Sequence, residues 1–292
     1  MQVYARSVKE TKKVSIAIPA SLVSDVPHLR EKTSKIGLVG RAAAIFGIEE
    51  IIIYKDSQQD QGLEVDLIAT LLRYMETPQY LRKRLFKLKP ELRYVGILPP
   101  LRTPHHPLGK RVVDLKVGEY REGVTIANTR KGTLVDIGVE KPVLVPKSLP
   151  LNERVTIKIL DVDRQIAAEV VDRREIPVYW GYEVLIWDSS FGGLAKSGRF
   201  DLKIATSRHG LAFMEVRDEI AKRWRKAKHV LVGFGAPTQG LFEIVKREGL
   251  NLTDVVDFVV NTIPKQWTET VRTEEAIIAT LAVFNCILGF NV

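Results

Sequence analysis

The chain has 292 residues, of which 45% are hydrophobic and 27% are charged, so it can bury a core of ordinary size and form one or two domains. This composition excludes wholesale disorder, and the single cysteine, Cys286, excludes an internal disulfide and a cysteine-based zinc site. Cys286 lies in an apolar run, which predicts a buried side chain. Because no apolar run approaches the ~20 residues that span a bilayer and no signal core follows Met1, we expect a soluble, cytoplasmic protein.

The first hundred residues alternate strand-like and helix-like segments, which is the pattern of an α/β sheet. The isoleucine run that begins at Ile51 is typical of a parallel strand buried on both faces. The predicted strands are residues 14–18, 50–54 and 94–98, and the predicted helices are residues 29–46, residues 65–75 and a basic helix that Pro78 opens.

Positive charge is concentrated between residues 70 and 116, within a chain whose net charge is +9. Residues 80–89 interleave apolar and basic side chains, which predicts a helix with one buried and one basic face. A concentrated basic segment favours nucleic acid as the partner ahead of a membrane surface, and an ordinary solvated helix face is the structural alternative. The candidate contacts in and beside this segment are Arg82, Lys83, Arg84, Arg102, His105, His106, Lys110 and Arg111.

Between about residues 110 and 190 the helical period disappears and short alternating segments take over. The predicted strands are residues 111–116, 123–127, 132–138, 154–160 and 166–171. Five or six short strands over ~80 residues indicate a small β-barrel. An OB-like barrel is the first choice because such barrels commonly bind single-stranded nucleic acid, and a barrel that only braces the main domain is the alternative.

The α/β rhythm returns at Asp201 and continues to the end of the chain. The predicted strands are residues 202–206, 229–234 and 255–260, and the predicted helices are residues 212–227, 241–248 and 273–288. The sequence therefore predicts one discontinuous α/β domain, residues 1–108 and 191–292, with the barrel inserted as residues 109–190.

Two loops that follow predicted strands carry the strongest functional signal. In residues 232–240 the glycine spacing matches neither the dinucleotide fingerprint nor a Walker A loop, so a nicotinamide or nucleoside-triphosphate enzyme is disfavoured. In residues 261–275 polar and charged side chains crowd the entrance of a helix. Loops at the carboxyl ends of strands bind ligands in open α/β sheets, so we expect these two to enclose a small molecule largely through backbone contacts. Tight-turn glycines and a threonine N-cap are the structural alternatives.

Two further motifs admit both structural and functional interpretations. His105 and His106 lie between prolines, where RNA contact, aided by Arg102, competes with a linker role. No carboxylate or cysteine accompanies the histidines at a useful spacing, so we expect no metal. The aromatic residues 179–182 could stack on unpaired bases, although packing at a domain seam is favoured.

The two loops closely resemble those of the SPOUT superfamily, the α/β-knot RNA methyltransferases. More narrowly, the chain resembles the archaeal and eukaryotic branch with an OB-like insertion, described as uridine-N3 RNA methyltransferases. The matching segments are residues 104–107, 121–123, 179–182, 206–210, 233–241 and 261–276. The resemblance implies a trefoil-knotted α/β domain, S-adenosylmethionine as methyl donor, a homodimer and ribosomal RNA as substrate.

The resemblance implies donor contacts, and the chemistry of a uridine-N3 target suggests roles for two charged residues. Arg272 would stabilise negative charge that develops on the target base, and Glu269 would act as the base or would orient Arg272. A local salt bridge at the helix start is the structural alternative for this pair. The residues implied to hold the donor are Thr206, Ser207, Gly233, Phe234, Gly235, Gly240, Asn261, Ile263, Pro264 and Thr270. A non-catalytic RNA-binding or ribosome-assembly factor that keeps the fold is the alternative function.

Overall fold

The computed structural model describes residues 12–162 and 166–289. These residues divide into two compact units, and each unit is assembled from separated stretches of the chain. The larger unit contains residues 12–75, 90–100 and 181–289, and the smaller unit contains residues 76–89, 101–162 and 166–180. The domain limits suggested by the sequence, 1–108 with 191–292 and 109–190, stay a prediction.

The elements follow one another in an α/β, then all-β, then α/β order. In chain order they are β1 (Lys13–Pro19), α1 (Leu29–Ile45), β2 (Glu50–Tyr54), α2 (Gly62–Glu76), α3 (Gln79–Leu85), β3 (Tyr120–Thr129), β4 (Gly132–Asp136), β5 (Val143–Val145), β6 (Arg154–Asp161), β7 (Ala167–Val170), β8 (Glu183–Trp187), α4 (Phe191–Ala195), β9 (Leu202–Ala212), α5 (Phe213–Lys226), β10 (His229–Gly233), α6 (Leu241–Arg247), α7 (Leu252–Val255), β11 (Phe258–Asn261) and α8 (Thr273–Leu288).

The larger unit is built on a six-stranded sheet in which every neighbouring pair of strands is parallel. The strand order is β11-β9-β10-β1-β2-β8. All five residues of β2 are buried, as its isoleucine run predicts for a strand covered on both faces. Because the strands are parallel, the loops that follow β9, β10 and β11 leave the sheet at its carboxyl edge.

Close packing fixes the path of the chain where β10 ends. The hydroxyl of Tyr54 donates to the backbone oxygen of Phe234 (2.7 Å), which joins the end of β2 to the residue after β10. A Cβ atom on Gly233 would lie 2.4 Å from the ring of Phe191, so glycine is required for α4 to pack here. The aromatic rings of Tyr54 and Phe191 are themselves in contact, with centroids 5.4 Å apart.

The last helix, α8, packs against α1 and begins at the residue that the sequence predicts. Its buried face carries Ile277, Leu281 and Phe284. Cys286 lies two residues beyond Phe284, on a different side of the helix, and it is exposed. The predicted burial of Cys286 is therefore wrong, because an apolar run on a helix does not bury every side.

The smaller unit contains the predicted barrel. Five strands close in the order β3-β4-β5-β7-β6, and β5 with β7 is the parallel pair. The interior is filled mainly by branched aliphatic side chains that alternate along the strands. The buried members of this core are Leu115, Val135, Ile137, Val143, Val145, Ile157, Ile159 and Ala168.

Several predicted elements differ from the structure. Residues 94–98 form a 3-10 turn at Val95–Ile97 instead of a strand, and the place beside β2 is taken by β8, which the sequence did not predict as part of this sheet. Residues 111–116 contain the turn Val112–Asp114 instead of a strand. The predicted strand 255–260 begins only at Phe258, because the short helix α7 ends at Val255.

The predicted end of the strand at residues 202–206 is also corrected, because β9 does not end at Thr206 but continues to Ala212. Its pairing with β11 shifts register: Val259 lies opposite Ala205, and Val260 lies opposite Leu211. Residues 206–210 therefore interrupt the ladder as a bulge, a feature that commonly redirects side chains beside active sites.

No helix in the part of the chain that the structure describes combines the length and apolarity that a membrane span requires.

Candidate functional site

A cleft of about 250 Å³ lies at the carboxyl edge of the sheet. Its walls come from the bulge at residues 206–210, the loop at 234–240 after β10, the loop at 262–272 after β11, and the first turns of α6 and α8. The last two loops are the ones that the sequence predicts to enclose a small molecule, and the bulge is a segment in which the resemblance implies donor contacts. The carboxyl edge of a parallel sheet is where such folds bind ligands.

Side-chain hydroxyls tie the three segments together. The hydroxyl of Thr206 donates to the backbone oxygen of Gly233 (2.9 Å), which joins the bulge to the end of β10. The hydroxyl of Thr273 donates to the backbone oxygen of Gly235 (3.0 Å), which joins the start of α8 to the glycine loop. Within that loop the amide of Ala236 donates to the backbone oxygen of Gln239 (2.8 Å). The cleft is thus held in shape by its own residues.

Glycine is required in the bulge and favoured in the glycine loop, because both segments approach other backbone closely. A Cβ on Gly210 would lie 2.7 Å from the backbone oxygen of Val259, which leaves no room for a side chain. A Cβ on Gly235 would lie 3.1 Å from the backbone oxygen of Gln239. In contrast, a Cβ on Gly240 would meet no atom within 4 Å, so this residue borders open space at the cleft.

The loop after β11 is ordered by two amide side chains. Asn261 donates from Nδ2 to the backbone oxygen of Arg208 (3.0 Å) and accepts at Oδ1 from the amide of Ile263 (2.9 Å). Gln266 donates from Nε2 to the backbone oxygens of Thr268 (2.9 Å) and Glu269 (3.2 Å). The loop has no regular secondary structure, but hydrogen bonds from Asn261 and Gln266 hold both its first and its middle part in place.

Most of the residues predicted to hold the donor line this cleft. Gly233 is buried and packs against Phe191, and Pro264 is exposed outside the lining, so these two are not brought into it. The eight that line it are Thr206, Ser207, Phe234, Gly235, Gly240, Asn261, Ile263 and Thr270.

The two predicted catalytic residues lie beside the cleft and not among its lining. Glu269 and Arg272 are both exposed, and they flank Thr270 and Val271, which do line it. The amide of Arg272 donates to Oε2 of Glu275 (2.9 Å) and so begins α8. Glu269 and Arg272 both belong to the part of the chain that the structure describes, and no ion pair joins their side chains there.

Two charged side chains of the cleft wall were not selected from the sequence. Arg208 projects from the bulge, and its Nη1 donates to the backbone oxygen of Glu269 (3.3 Å). Glu243 lies in the first turn of α6. Arg208 belongs to the matched segment 206–210, which is the one sequence signal that could have indicated it. The position of Glu243 depends on where α6 starts, and no motif marks it.

In the smaller unit the predicted RNA contacts differ in exposure. Lys83, Arg102, Lys110 and Arg111 are exposed, and Arg111 pairs with Asp114 at 3.3 Å. Arg84 is about half exposed and pairs with Asp136 at 2.7 Å. Arg82 is half-buried and donates from Nε to the backbone oxygen of Thr77 (2.9 Å). Exposed positive charge that no ion pair engages within the described part of the chain is thus presented mainly by Lys83, Arg102 and Lys110.

The two adjacent histidines are held inside the smaller unit. His105 is fully buried, and both His105 and His106 place Nε2 within hydrogen-bonding distance of the backbone oxygen of Glu76 (2.9 and 2.7 Å). Burial lowers the pKa of His105 well below its ordinary value, and the neighbouring charge of His106 lowers it further. Burial also lowers the pKa of His106. A buried His105 and a half-buried His106, each held at the backbone oxygen of Glu76, fit the linker interpretation better than contact with an RNA phosphate.

A buried polar network lies beside these histidines, and the sequence analysis did not predict it. Arg154 pairs with both Glu76 and Glu122, and Glu122 also accepts from the hydroxyl of Thr156 (2.8 Å) and from the indole of Trp180. Trp180 is 5% exposed. Its ring therefore packs within the unit and is not available to stack on a base.

The comparisons with known proteins identify the family. A family model described as "Putative RNA methyltransferase" matches residues 13–284. The chain is similar to a mouse 28S rRNA (uridine-N(3))-methyltransferase, with 32% identity over 92% of this chain and 75% of the mouse protein. A Drosophila melanogaster protein of the same name is 32% identical over 96% of this chain and 63% of its own length, and a human one is 29% identical over 92% and 77%. The chain belongs to this family and is an RNA methyltransferase.

Proposed function

We propose that this enzyme transfers a methyl group from S-adenosylmethionine to N3 of a uridine in ribosomal RNA. The observation that carries the proposal is the cleft at the carboxyl edge of the sheet, which unites the three segments that resemble a methyl-donor site. The relatives named above are uridine-N3 methyltransferases of 28S rRNA, and the chain aligns with more than nine-tenths of its length to them.

The composition of the cleft wall supports S-adenosylmethionine as the proposed ligand. Its wall is mostly uncharged loop backbone, which suits a flat heterocycle better than a triphosphate. The open space beside Gly240 admits a ligand where any side chain would intrude. Glu243 offers a carboxylate for a cationic group of the donor, and Arg208 offers a guanidinium for its carboxylate. We propose the eight lining residues of the predicted set as donor contacts, with Gly233 and Pro264 shaping the loops from outside.

We further propose the SPOUT fold with a trefoil knot for the larger unit. The chain passes from β9 to β10, returns beyond β9 to form β11, and then enters α8, whose first residue bonds to the loop after β10. Such a path lets the last segment thread behind an earlier loop. For the barrel we propose an OB-like fold, supported by its five closed strands with a single parallel pair.

A homodimer through α1 and α8 completes the proposed architecture. These two helices pack against each other and also leave large apolar side chains in contact with solvent. The exposed members are Leu38, Ile45, Ile278 and Ile287. A second copy of the chain would cover them.

In the proposed mechanism the protein mainly positions and polarises the base. When bound, S-adenosylmethionine supplies a methyl group already activated by its sulfonium. The protein must hold uridine N3 in line with that carbon and must also favour loss of the N3 proton, which is present at neutral pH. Arg272 would stabilise the anion that remains on the base, and Glu269 would accept the proton or orient Arg272. Arg208, tied to the backbone of Glu269, is a second cation at the same mouth.

The smaller unit would bind the part of the RNA that does not enter the cleft. We propose its barrel and exposed basic residues as the RNA-binding surface, with Arg82 and Arg84 in supporting positions. Replacement of Lys83, Lys110 and Arg111 by alanine should weaken RNA affinity about tenfold and lower the salt dependence of binding. Unchanged affinity and salt dependence would remove this surface from the proposal.

The direct test is the transfer of labelled methyl from S-adenosylmethionine to small- and large-subunit ribosomal RNA, followed by nucleoside analysis. Label recovered as 3-methyluridine is the expected result. Label in another nucleoside would overturn the proposed target while leaving the enzyme class intact. Donor binding by calorimetry without transfer to any ribosomal RNA would overturn ribosomal RNA as the substrate.

A further inference from the structure

Trp267 is a tryptophan with its side chain wholly in solvent, at the mouth of the cleft. It is 101% exposed, whereas Trp180 and Trp224 are 5% and 1% exposed. Its neighbour Gln266 lines the cleft, and Thr270 lines it three residues later. A large aromatic ring left in water on a functional loop commonly marks a binding surface.

The backbone that carries Trp267 is held in place by its neighbours. The Gln266 amide donates to the backbone oxygens of Thr268 and Glu269, so a closed turn spans the tryptophan. Arg208 donates to the same backbone oxygen of Glu269 from across the cleft. The indole is therefore projected from a braced turn, which lowers the entropy lost when a ligand contacts it.

The charges around this turn favour RNA over an apolar partner. Lys265 and Arg272 are exposed on the same loop, against the single carboxylate of Glu269 on that loop. The cleft wall beside the loop adds Arg208 and the carboxylate of Glu243, so the cations remain in excess. An aromatic face flanked by cations is how proteins hold unpaired nucleotides, because every base offers a face for stacking and every phosphate a negative charge. An enzyme that modifies a ring atom of a base must also take that base out of its stack.

We infer that Trp267 stacks on an unpaired nucleotide next to, or at, the methylated position and so positions the RNA substrate over the cleft. The inference rests on the proposed donor cleft for the place of the reaction, but the stacking itself does not depend on which atom is methylated. Trp267 is a positioning residue: it would raise the affinity for unpaired RNA and leave donor binding unchanged.

The test compares Trp267→Ala, Trp267→Leu and Trp267→Phe with the parent protein, and Leu63→Ala is the matched control for loss of an exposed apolar side chain (85% exposed). Affinity for a ten-nucleotide oligouridylate should fall about 5- to 150-fold in the alanine variant. It should fall similarly in the leucine variant and stay within about threefold in the phenylalanine variant, because stacking needs an aromatic ring. Affinity for S-adenosylhomocysteine and the melting temperature should not change.

Intrinsic fluorescence supplies a second readout that is independent of methyl transfer. Oligouridylate should quench the parent more than Trp267→Phe, since the other tryptophans are common to both proteins. Quenching in a protein that methylates no ribosomal RNA would support this inference while the proposed function failed. Equal RNA affinity of parent and alanine variant would overturn the inference, as would a change of oligomeric mass in the alanine variant, which would assign the ring to a protein interface.

Discussion

The two ends of the parallel sheet treat charged side chains in opposite ways. At the amino end, Glu50 is 1% exposed and is surrounded by partners on neighbouring segments: Lys13, Ser15, Arg199 and His229. At the carboxyl end, Arg208, Glu269 and Arg272 are exposed around an open cleft. Charged groups are thus paired with one another at the amino end of the sheet, whereas at the carboxyl end they are exposed to solvent.

The difference indicates where stability and function are located. A buried carboxylate with several donors is costly to disrupt, because its removal leaves those donors without their shared acceptor. Exposed charges contribute little to stability and are available to a ligand. Substitutions at the amino end should therefore change the free energy of unfolding, and substitutions at the carboxyl end should change activity.

The largest expected effect follows Glu50→Ala. We expect the free energy of unfolding to fall by about 3 kcal/mol, because Lys13 and Arg199 lose their buried partner. Glu183, which lies opposite Glu50 in the register of β2 with β8 and is exposed, is the matched control, and Glu183→Ala should stay within about 0.5 kcal/mol of the parent. Urea denaturation gives both values, and equal destabilisation by the two changes would break the comparison.

The same carboxylate should make stability depend on pH in the acid range. Burial alone would raise the pKa of Glu50, but hydrogen bonds from His229, Lys13 and Ser15 and the charge of Lys13 lower it to about 2. A folded-state pKa below the ordinary value stabilises the fold above about pH 4.5, and that stabilisation is lost as the pH falls toward 2. At neutral pH this contribution of Glu50 to the free energy of unfolding is about 3 kcal/mol, because each unit of pKa difference corresponds to about 1.4 kcal/mol.

Glu50→Gln isolates this contribution, since the other carboxylates are common to both proteins. The difference in the free energy of unfolding between parent and variant should shrink as the pH falls from 4.5 to 2. A difference as large at pH 3 as at pH 7 would contradict the assignment to Glu50.

At the carboxyl end, Arg272→Ala should lower kcat about 100-fold while the melting temperature and the affinity for S-adenosylhomocysteine stay unchanged. The physical reason is loss of the charge that would stabilise the deprotonated base. Arg247→Ala, an exposed arginine at the end of α6, is the control. Parent-like turnover would remove Arg272 from the mechanism, and a larger loss in Arg208→Ala would transfer the role to that residue.

A smaller effect is expected from Gly240→Val. The backbone at Gly240 (φ −76°) accepts any residue and the space around its Cβ is open, so the fold should tolerate valine while the side chain obstructs the cleft. Affinity for S-adenosylhomocysteine should fall roughly tenfold, about 1.4 kcal/mol. Gly96→Val, another position with open space, should leave that affinity unchanged. Calorimetry on both variants would show whether the cleft at Gly240 is the donor site, because equal affinities would exclude it.

Local patterns predict much of this fold because they act within one element. Helix α8 begins at Thr273 as predicted, since its apolar run and acidic first turn are properties of neighbouring residues. The strand prediction for residues 94–98 was wrong, because a short apolar run becomes a strand only where it can pair with the free edge of another strand. The free edge of β2 pairs with β8, which lies more than eighty residues further along the chain.

The candidate site was predicted in outline for the same reason. Glycine and proline mark the loops at 234–240 and 262–272, but the bulge that brings Arg208 to the cleft arises from the register of β9 with β11. The positions of Glu269 and Arg272 also depend on tertiary contacts, because Thr273 turns its hydroxyl toward Gly235 and leaves Arg272 in solvent. The strand register and the contact made by Thr273 are both tertiary features, so the amino-acid sequence alone does not predict them.

Hydrogen exchange with and without S-adenosylhomocysteine tests most directly whether the carboxyl edge is the functional end of the sheet. Added ligand should slow exchange in residues 206–210, 234–240 and 262–272, and exchange at the starts of β1, β2 and β10 should stay the same. Protection confined to the amino end, or protection elsewhere with none in these three segments, would contradict the assignment of the cleft.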